Sequence, residues 1–488
     1  MEAFISAVLG DLVSRSVSFV VERYYRRHKG AAENLQRLRR LLLRIQLIVE
    51  EAEGRRITNQ AMLRQLQMLR EAMYEGSYLL DTVMYRMLQQ ESTNYKSRGQ
   101  SSSALPKLGP AKHVCFCSRR VNTPCQGDGV KEVQEMLGSL RGVIDDMAEF
   151  IVFLKSYPPI SREPYSKYMF LEKCMFGRQV EMEKITNFLL QQDPPGTESL
   201  QVLPIAGPAR VGKSTLVEHV CYDERVRNHF SSIILCNGYP AAPEGGRVMK
   251  EQTHDSHGRS LVIVELADDF VLDEQCKKLC SAGRHMPPES KVIITSRSEN
   301  IAKLGTAGAI RLTFLPQEAY WYFFKVLAFG STDPEEHPEL ASIAMEVAEM
   351  LGGSFLGANT VSGMLRANLD ARFWRKILAL QRNHVERNTL RFGEHPHSLL
   401  QKNRTVYLWT MSNRAMWFKV HYREKRYHDH EVPKITLLDV QTGSAETHGK
   451  FEVVVWKSRI PPYHSYLMSC EMEAPNLMVK KKRPHSMM

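Results

Sequence analysis

The sequence predicts a multidomain chain: an N-terminal α-helical bundle, a central α/β P-loop unit with a small helical subdomain after it, and a small antiparallel β domain toward the C-terminus. Three observations lead there. Apolar residues recur at helical spacing over roughly residues 1 to 156. One Gly-rich segment, Gly207-Pro208-Ala209-Arg210-Val211-Gly212-Lys213-Ser214-Thr215, stands between a run suited to a buried strand and a run suited to a helix. Beyond residue 400 the apolar alternation changes to period two.

Length and composition bound the class. At 488 residues the chain exceeds one ordinary core, since a domain takes about 150 residues. Apolar residues at 43% and charged residues at 24% are globular values. The sequence has no run of about 18 uncharged apolar residues that would span a bilayer, so a soluble protein is expected. The opening Met1-Glu2-Ala3-Phe4-Ile5 lacks a basic n-region and its apolar positions continue at helical spacing through Val20, which argues against a signal peptide. The 9 cysteines are odd in number and scattered, as in a reducing, cytoplasmic setting. Of the formal net charge of +11, clusters such as Arg23, Arg26, Arg27, Lys29 and Arg37, Arg39, Arg40, Arg44 suit an anionic membrane or nucleic acid, and equally suit solvated helix faces.

The helical elements follow from their stripes. Leu35, Leu38, Leu42, Ile45 and Val49 follow a 3-4-3-4 spacing, and Leu66, Leu69, Met73, Leu80 and Val83 form a second stripe. With a first helix around Ile5, Val8, Leu9 and Leu12, and a fourth through Val133, Leu137, Leu140, Ile144, Met147 and Ile151, they make a four-helix domain over 1–156. Gly30, Gly54 and the loop before Val133 interrupt the pattern too often for an extended coiled coil. Between the third and fourth helices, 92–129 is rich in Ser, Gly, Pro and Lys and reads as a flexible insertion. His113, Cys115, Cys117 and Cys125 within it lack zinc-site spacing. Glu75 and Asp81 lie off the apolar stripe and are available to a partner.

The Gly-rich segment carries chemistry. Leu200, Val202, Leu203 and Ile205 before it suit a buried strand, and Leu216, Val217 and Val220 after it suit a helix, the frame that a phosphate-binding loop requires. Gly207 and Gly212 let the backbone turn so that its N–H groups point at phosphate oxygens, and the following helix N-terminus adds partial positive charge. The expected nucleotide-binding set is Gly207, Arg210, Val211, Gly212, Lys213, Ser214 and Thr215. Lys213 reaches the β- and γ-phosphates and Ser214 sits on Mg²⁺, so ATP or ADP with Mg²⁺ is the expected cofactor. A chance Gly-rich turn is the bland alternative.

Around that loop the segments fall in a familiar order. Met175-Phe176-Gly177-Arg178-Gln179-Val180-Glu181 precedes it, and Val220-Cys221-Tyr222-Asp223-Glu224-Arg225-Val226 follows it. Leu261-Val262-Ile263-Val264-Glu265 looks like a Walker B strand, and Lys291-Val292-Ile293-Ile294-Thr295-Ser296-Arg297 like the strand that ends in a sensor arginine. Leu315-Pro316-Gln317-Glu318-Ala319-Tyr320-Trp321 then looks like the start of a helical subdomain, and Leu351-Gly352-Gly353-Ser354-Phe355 like a Gly-Leu-Pro-Leu turn. This series resembles the NB-ARC group of STAND NTPases, found in plant intracellular immune receptors and animal apoptosis activators. The N-terminal helices, with Arg55-Arg56-Ile57-Thr58 and Glu75-Gly76-Ser77-Tyr78-Leu79-Leu80-Asp81, resemble the coiled-coil domain of the plant receptors. The resemblance covers about residues 1 to 380. It implies a nucleotide-binding domain over 175–310 and a helical subdomain over 311–380. It implies adenine-side contacts at Phe176 and Arg178, a γ-phosphate sensor at Arg297, and Mg²⁺ held by Ser214 and Glu265. Arg297 also sits where open α/β sheets place ligands, at the carboxyl end of an apolar strand. The implied partners are proteins met through the helical N-terminal domain, by self-association or with other immune receptors. No specific nucleic acid is implied, and peripheral membrane contact is a secondary expectation.

Departures from that pattern shape the expected mechanism. A hydrolase needs a second carboxylate to orient the attacking water, but Glu265 is followed by Leu266, and Asp268 and Asp269 come later in register. Nucleotide binding is therefore expected with at most feeble hydrolysis, and an acid introduced at 266 is expected to raise turnover. Ser354-Phe355 replaces the Leu-Pro pair placed near the base. Tyr427-His428-Asp429 matches the Met-His-Asp switch only in part, and nothing after residue 380 repeats L-x-x-L-x-L. Instead Val406–Trp409, 416–420, 435–438, 451–456 and 466–468 read as strands of a β-rich domain over 400–472, before a basic tail over 473–488 whose Val479-Lys480-Lys481-Lys482-Arg483-Pro484 suits nuclear import. The leading expectation is a nucleotide-dependent conformational switch in plant defence. The alternatives are an ATP-hydrolysing enzyme and a passive interaction module that helps full-length receptors.

Overall fold

Residues three and four apart on a helix share a face, so each N-terminal stripe becomes a dry side that must find another. In the computed structural model they find one another. The structure describes residues 29–98, 128–158, 175–192, 200–237, 247–250, 258–266, 274, 277, 281, 286–402, 404–411, 417–426 and 432–473. The chain divides into two units: 1–165 with 317–325 and 331–345, and 166–316 with 326–330 and 346–488.

The first unit contains α1 (Lys29–Glu53), α2 (Gln60–Arg98), α3 (Asp128–Asp145) and α4 (Ala148–Leu154). Leu38 and Ile45 of α1, Leu69 of α2, Leu140 of α3 and Phe150 of α4 are completely buried. A Cβ at position 76 would lie 2.7 Å from Leu42 Cδ2, so the glycine there lets α2 approach α1 closely. The expected first helix, Ile5 to Leu12, lies outside the described residues, as do His113, Cys115, Cys117 and Cys125. Of the expected insertion, residues 92–98 belong to α2, which stays helical to Arg98, and 99–127 lie outside the described residues. The run from Ser92 to Arg98 contains neither Gly nor Pro, the two strong helix breakers. The turn between α1 and α2 is tied down by Arg55, whose Nη1 donates to the Tyr157 carbonyl at 2.9 Å.

Asp81 and Glu75 have different fates in this unit. The Asp81 carboxylate accepts from Trp321 Nε1 at 2.7 Å and from Lys325 Nζ, and Tyr74 stacks against Tyr322 with ring centroids 4.9 Å apart. Asp81 is therefore engaged within the chain. Glu75 is exposed, and its pKa is raised by partial burial first, then by Glu318 and Glu71 nearby. Asp81→Asn should cost about 1–2 kcal/mol, since it weakens two charge-assisted hydrogen bonds. Glu75→Gln should stay within about 0.5 kcal/mol of the parent, because it removes like-charge repulsion at the surface. Denaturant unfolding of both variants checks the contrast, and equal losses would count against it.

The second unit is built on a six-stranded sheet: β1 (Gln201–Ala206), β2 (Ser232–Asn237), β3 (Arg247–Lys250), β4 (Ser260–Glu265), β5 (Lys291–Ser296) and β6 (Ile310–Arg311), in the order β3-β2-β4-β5-β1-β6. Only β3 runs antiparallel to its neighbour; the other pairs are parallel. A parallel sheet is covered on both faces, which is why β1 reads as an almost unbroken apolar run. Leu203, Ile205, Ile263 and Ile293 pack against α5 (Gln179–Leu190), α6 (Lys213–Cys221) and α7 (Glu224–His229) through Ile185, Leu216, Val217 and Val226. Val202, Ala206, Val264, Val292 and Ile294 form the other face with Ile301 and Leu304. Lys291, 2% exposed, ties β5 to the end of α5 by donating to the Phe188 and Gln191 carbonyls. Cations at a helix C-terminus are favourably placed.

Helices α8 (Gln317–Phe329), α9 (Pro338–Met350), α10 (Phe355–Ala367), α11 (Ala371–Phe392) and α12 (Pro396–Gln401) follow. Trp374 is buried, donating from Nε1 to the Leu365 and Asn368 carbonyls, each at 2.9 Å. The last sheet is antiparallel: β7 (Val406–Trp409), β8 (Trp417–Arg426), β9 (Lys450–Lys457) and β10 (Ser465–Glu473), in the order β7-β8-β10-β9. It packs α10 on β9 and α11 on β7. One expected strand is wrong. Residues 435–438 lead into α13 (Leu437–Thr442), where Thr436 and Asp439 form a capping box and Gly443 closes the helix at φ +79°. Reciprocal capping satisfies the first backbone N–H groups and overrides a short period-two pattern. Among the described residues no helix is long and apolar enough to cross a membrane.

Candidate functional site

The site lies at the carboxyl ends of β1, β4 and β5, where the chain leaves the sheet. Gly207 follows β1 and its N–H donates to the Ser296 carbonyl at the end of β5, at 3.3 Å. A Cβ at this position would stand 2.4 Å from the Leu312 carbonyl oxygen, so only glycine fits between β1 and the return from β6. Gly212 precedes α6 with φ +100°, a backbone conformation that favours glycine, and has open space around it. The α6 N-terminus has no side-chain cap, leaving its first N–H groups directed at the loop.

Lys213, 7% exposed, folds back over the loop and donates from Nζ to the Gly207 carbonyl at 2.6 Å and the Pro208 carbonyl at 2.8 Å. Val211 is 1% exposed and belongs to the core, so only its backbone faces the loop. Thr215 is half-buried on the first turn of α6. Arg210 is held at φ +64°, and its pKa is lowered first by desolvation and then by Arg297. The Arg210 and Arg297 charges thus oppose each other, a repulsion that a bound anion would relieve.

Ser214 Oγ donates to Glu265 Oε1 at 3.0 Å. A hydroxyl and a carboxylate joined in this way, at a strand end beside a helix N-terminus, form a hard oxygen set that fits Mg²⁺. Leu266 is different: it is 6% exposed in the core formed with Val264, Ile294 and Ile301, and its N–H donates to the Thr295 carbonyl at 2.8 Å. An acid at 266 would be buried in that core, which removes the basis for expecting it to raise turnover. Asp268, Asp269 and Tyr427-His428-Asp429 lie outside the described residues.

Phe176 is buried, and Arg178 is 5% exposed, donating from Nη2 to the Thr313 carbonyl with Glu181 3.6 Å from Nη1. Arg178 therefore anchors the turn before α5. Sequence reasoning missed the segment that receives it. Leu312 bonds Ala206 and crowds Gly207, Thr313 receives Arg178, Leu315 lies against Gly177, and Phe314 meets His397 edge-on with centroids 5.5 Å apart. Gly352 and Gly353 lie against His395, His397 and Phe314. The only sequence signal for this hub was its apolar run after β6.

The comparisons join this geometry to known proteins. Residues 5–115 match the Rx N-terminal domain family. The disease resistance protein RGA2 of Solanum bulbocastanum is 26% identical over 408 residues, covering 77% of this chain and 38% of RGA2. The chain is similar to plant disease resistance proteins. The disease resistance protein RPP8 of Arabidopsis thaliana is 22% identical over 310 residues, 55% of this chain and 33% of RPP8. The chain thus spans about two fifths of the length of RGA2 and a third of RPP8. A structure of C. elegans PCH-2 overlays 45% of the chain and 73% of its own at 9% identity, but its TM-score of 0.29 carries no argument. The match to the Rx N-terminal domain takes in α1 and α2, and the wider likeness to RGA2 extends well beyond them.

Proposed function

We propose that the chain is a nucleotide-dependent conformational switch in plant defence signalling, acting through protein contacts of its helical N-terminal domain. The observation that carries the reading is Lys213 folded over the loop between β1 and α6, with Ser214 of the same helix end bonded to Glu265 at the end of β4. Lys213 and the backbone N–H groups of the loop suit the β-phosphate, and Arg297 suits the γ-phosphate that distinguishes ATP from ADP. Ser214 and Glu265 would hold Mg²⁺, which offsets polyphosphate charge when bound. A ligand shifts a two-state protein only by its differential affinity, so Arg297 is the residue through which ATP and ADP would favour different arrangements.

Calorimetry on the purified chain with Mg–ADP and Mg–ATP, with limited proteolysis of each complex, tests this reading. Both nucleotides should bind, and the digestion patterns should differ. Identical patterns for the two complexes would remove the switch, and absence of binding would remove the nucleotide reading altogether.

A further inference from the structure

Two successive residues of the P-loop helix are engaged by the C-terminal sheet. The connection from β9 to β10, residues 458–464, is closed on itself: the Ser458 N–H donates to the His464 carbonyl at 2.7 Å, the Tyr463 N–H to the Ile460 carbonyl at 2.9 Å, and Ser458 Oγ to the Ile460 carbonyl at 3.0 Å. This closed loop offers α6 two groups. The Pro461 carbonyl accepts from His219 Nδ1 at 2.8 Å, and His464 Nε2 stands 3.2 Å from Glu218 Oε2. The Glu218 and His464 side chains are 3% and 1% exposed, and Tyr466 closes the site edge-on to His464, with centroids 6.2 Å apart.

A buried carboxylate–imidazole pair adds little net adhesion compared with apolar packing, but it penalises any arrangement that separates its members. It therefore specifies one docking position. Glu218 lies five residues beyond Lys213 on the same helix, a rise of about 7.5 Å. Over that distance a helix moves as a unit. The position of the β9–β10 loop and the position of the phosphate-binding residues are mechanically linked.

We propose that the β9–β10 loop is a built-in regulator of the nucleotide site. Its docking on Glu218 and His219 and the binding of nucleotide at the start of α6 favour each other. The inference rests on the nucleotide reading above. Docking fixes α6 where Lys213 already reaches the loop carbonyls, so it lowers the ordering cost of binding. Coupling of two binding equilibria is reciprocal, so nucleotide must tighten the docked loop by the same factor.

The test is hydrogen exchange of the full chain with and without saturating Mg–ADP, with calorimetry alongside. Mg–ADP should slow exchange of the amides in 458–470 by about tenfold, within the usual range of coupling. Glu218→Gln and His464→Asn should each weaken Mg–ADP binding by a similar factor and abolish that slowing, and the double variant should show no further loss. Circular dichroism checks that the variants fold, and the parent experiment decides even where they do not. Nucleotide binding with unchanged exchange over 458–470 would overturn the coupling alone, as would parental affinity in a folded Glu218→Gln. Failure of the parent to bind Mg–ADP would overturn the nucleotide reading and the coupling with it.

Discussion

Lys213→Ala should lower affinity for both Mg–ADP and Mg–ATP by at least about a hundredfold, or about 2.7 kcal/mol, while the chain stays folded. The ammonium folds back over the loop, where it donates to the Gly207 and Pro208 carbonyls. Its preorganised donors cost little to redirect at a phosphate, and hydrogen bonds to charged groups are the strong ones. Folding is expected to survive because Pro208 is exposed and its carbonyl only part-buried, so water can take the place of Nζ there. Lys213→Arg should restore little, since a planar fork does not reproduce a compact point charge in a loop of this curvature. Calorimetry with both nucleotides, and circular dichroism of the variants, checks each part. Parental affinity in the alanine variant would remove the phosphate assignment.

Leu266→Asp should destabilise the chain by about 3–5 kcal/mol, combining a lost apolar side chain with a carboxylate forced into an apolar site. Leu266 sits among Val202, Ala206, Val264, Ile294, Ile301 and Leu304, and Leu266→Met should cost less than about 1.5 kcal/mol because it conserves volume. Denaturant midpoints of the parent and the two variants measure both numbers. An aspartate variant as stable as the parent, with Mg²⁺-dependent ATP turnover, would show instead that the strand end turns residue 266 outward.

These two residues mark the limits of what the sequence reveals. The Gly-rich loop is legible because its residues are local: glycines, lysine and hydroxyl fall within nine residues, between an apolar strand and an amphipathic helix. The pair Ser214 and Glu265 is legible as two motifs whose meeting the sheet then supplies. The direction of a side chain past a strand end is not legible, and Leu266 looked like a missing carboxylate when it is a core residue. Arg178 carries a family resemblance in its position, yet its burial follows from Thr313, 135 residues away. Glu218 and His464 are still further apart along the chain and share no pattern. Residues 435–438 failed for a different reason: the Thr436 and Asp439 cap was present in the sequence, but a four-residue alternation cannot outweigh it.

Gly207 carries a consequence for how such signatures are interpreted. Its missing side chain is required by the Leu312 carbonyl, which belongs to the protein's own backbone and is there whether or not a phosphate is. Gly212 is constrained by its backbone angle alone, with open space where a side chain would go. A lineage that stopped using nucleotide would be free to vary Lys213 and Ser214, but would keep the first glycine as long as it kept β6 beside β1. The informative part of the motif for retained binding is therefore Lys213 and Ser214, and a loop that preserves only its opening glycine testifies to the sheet.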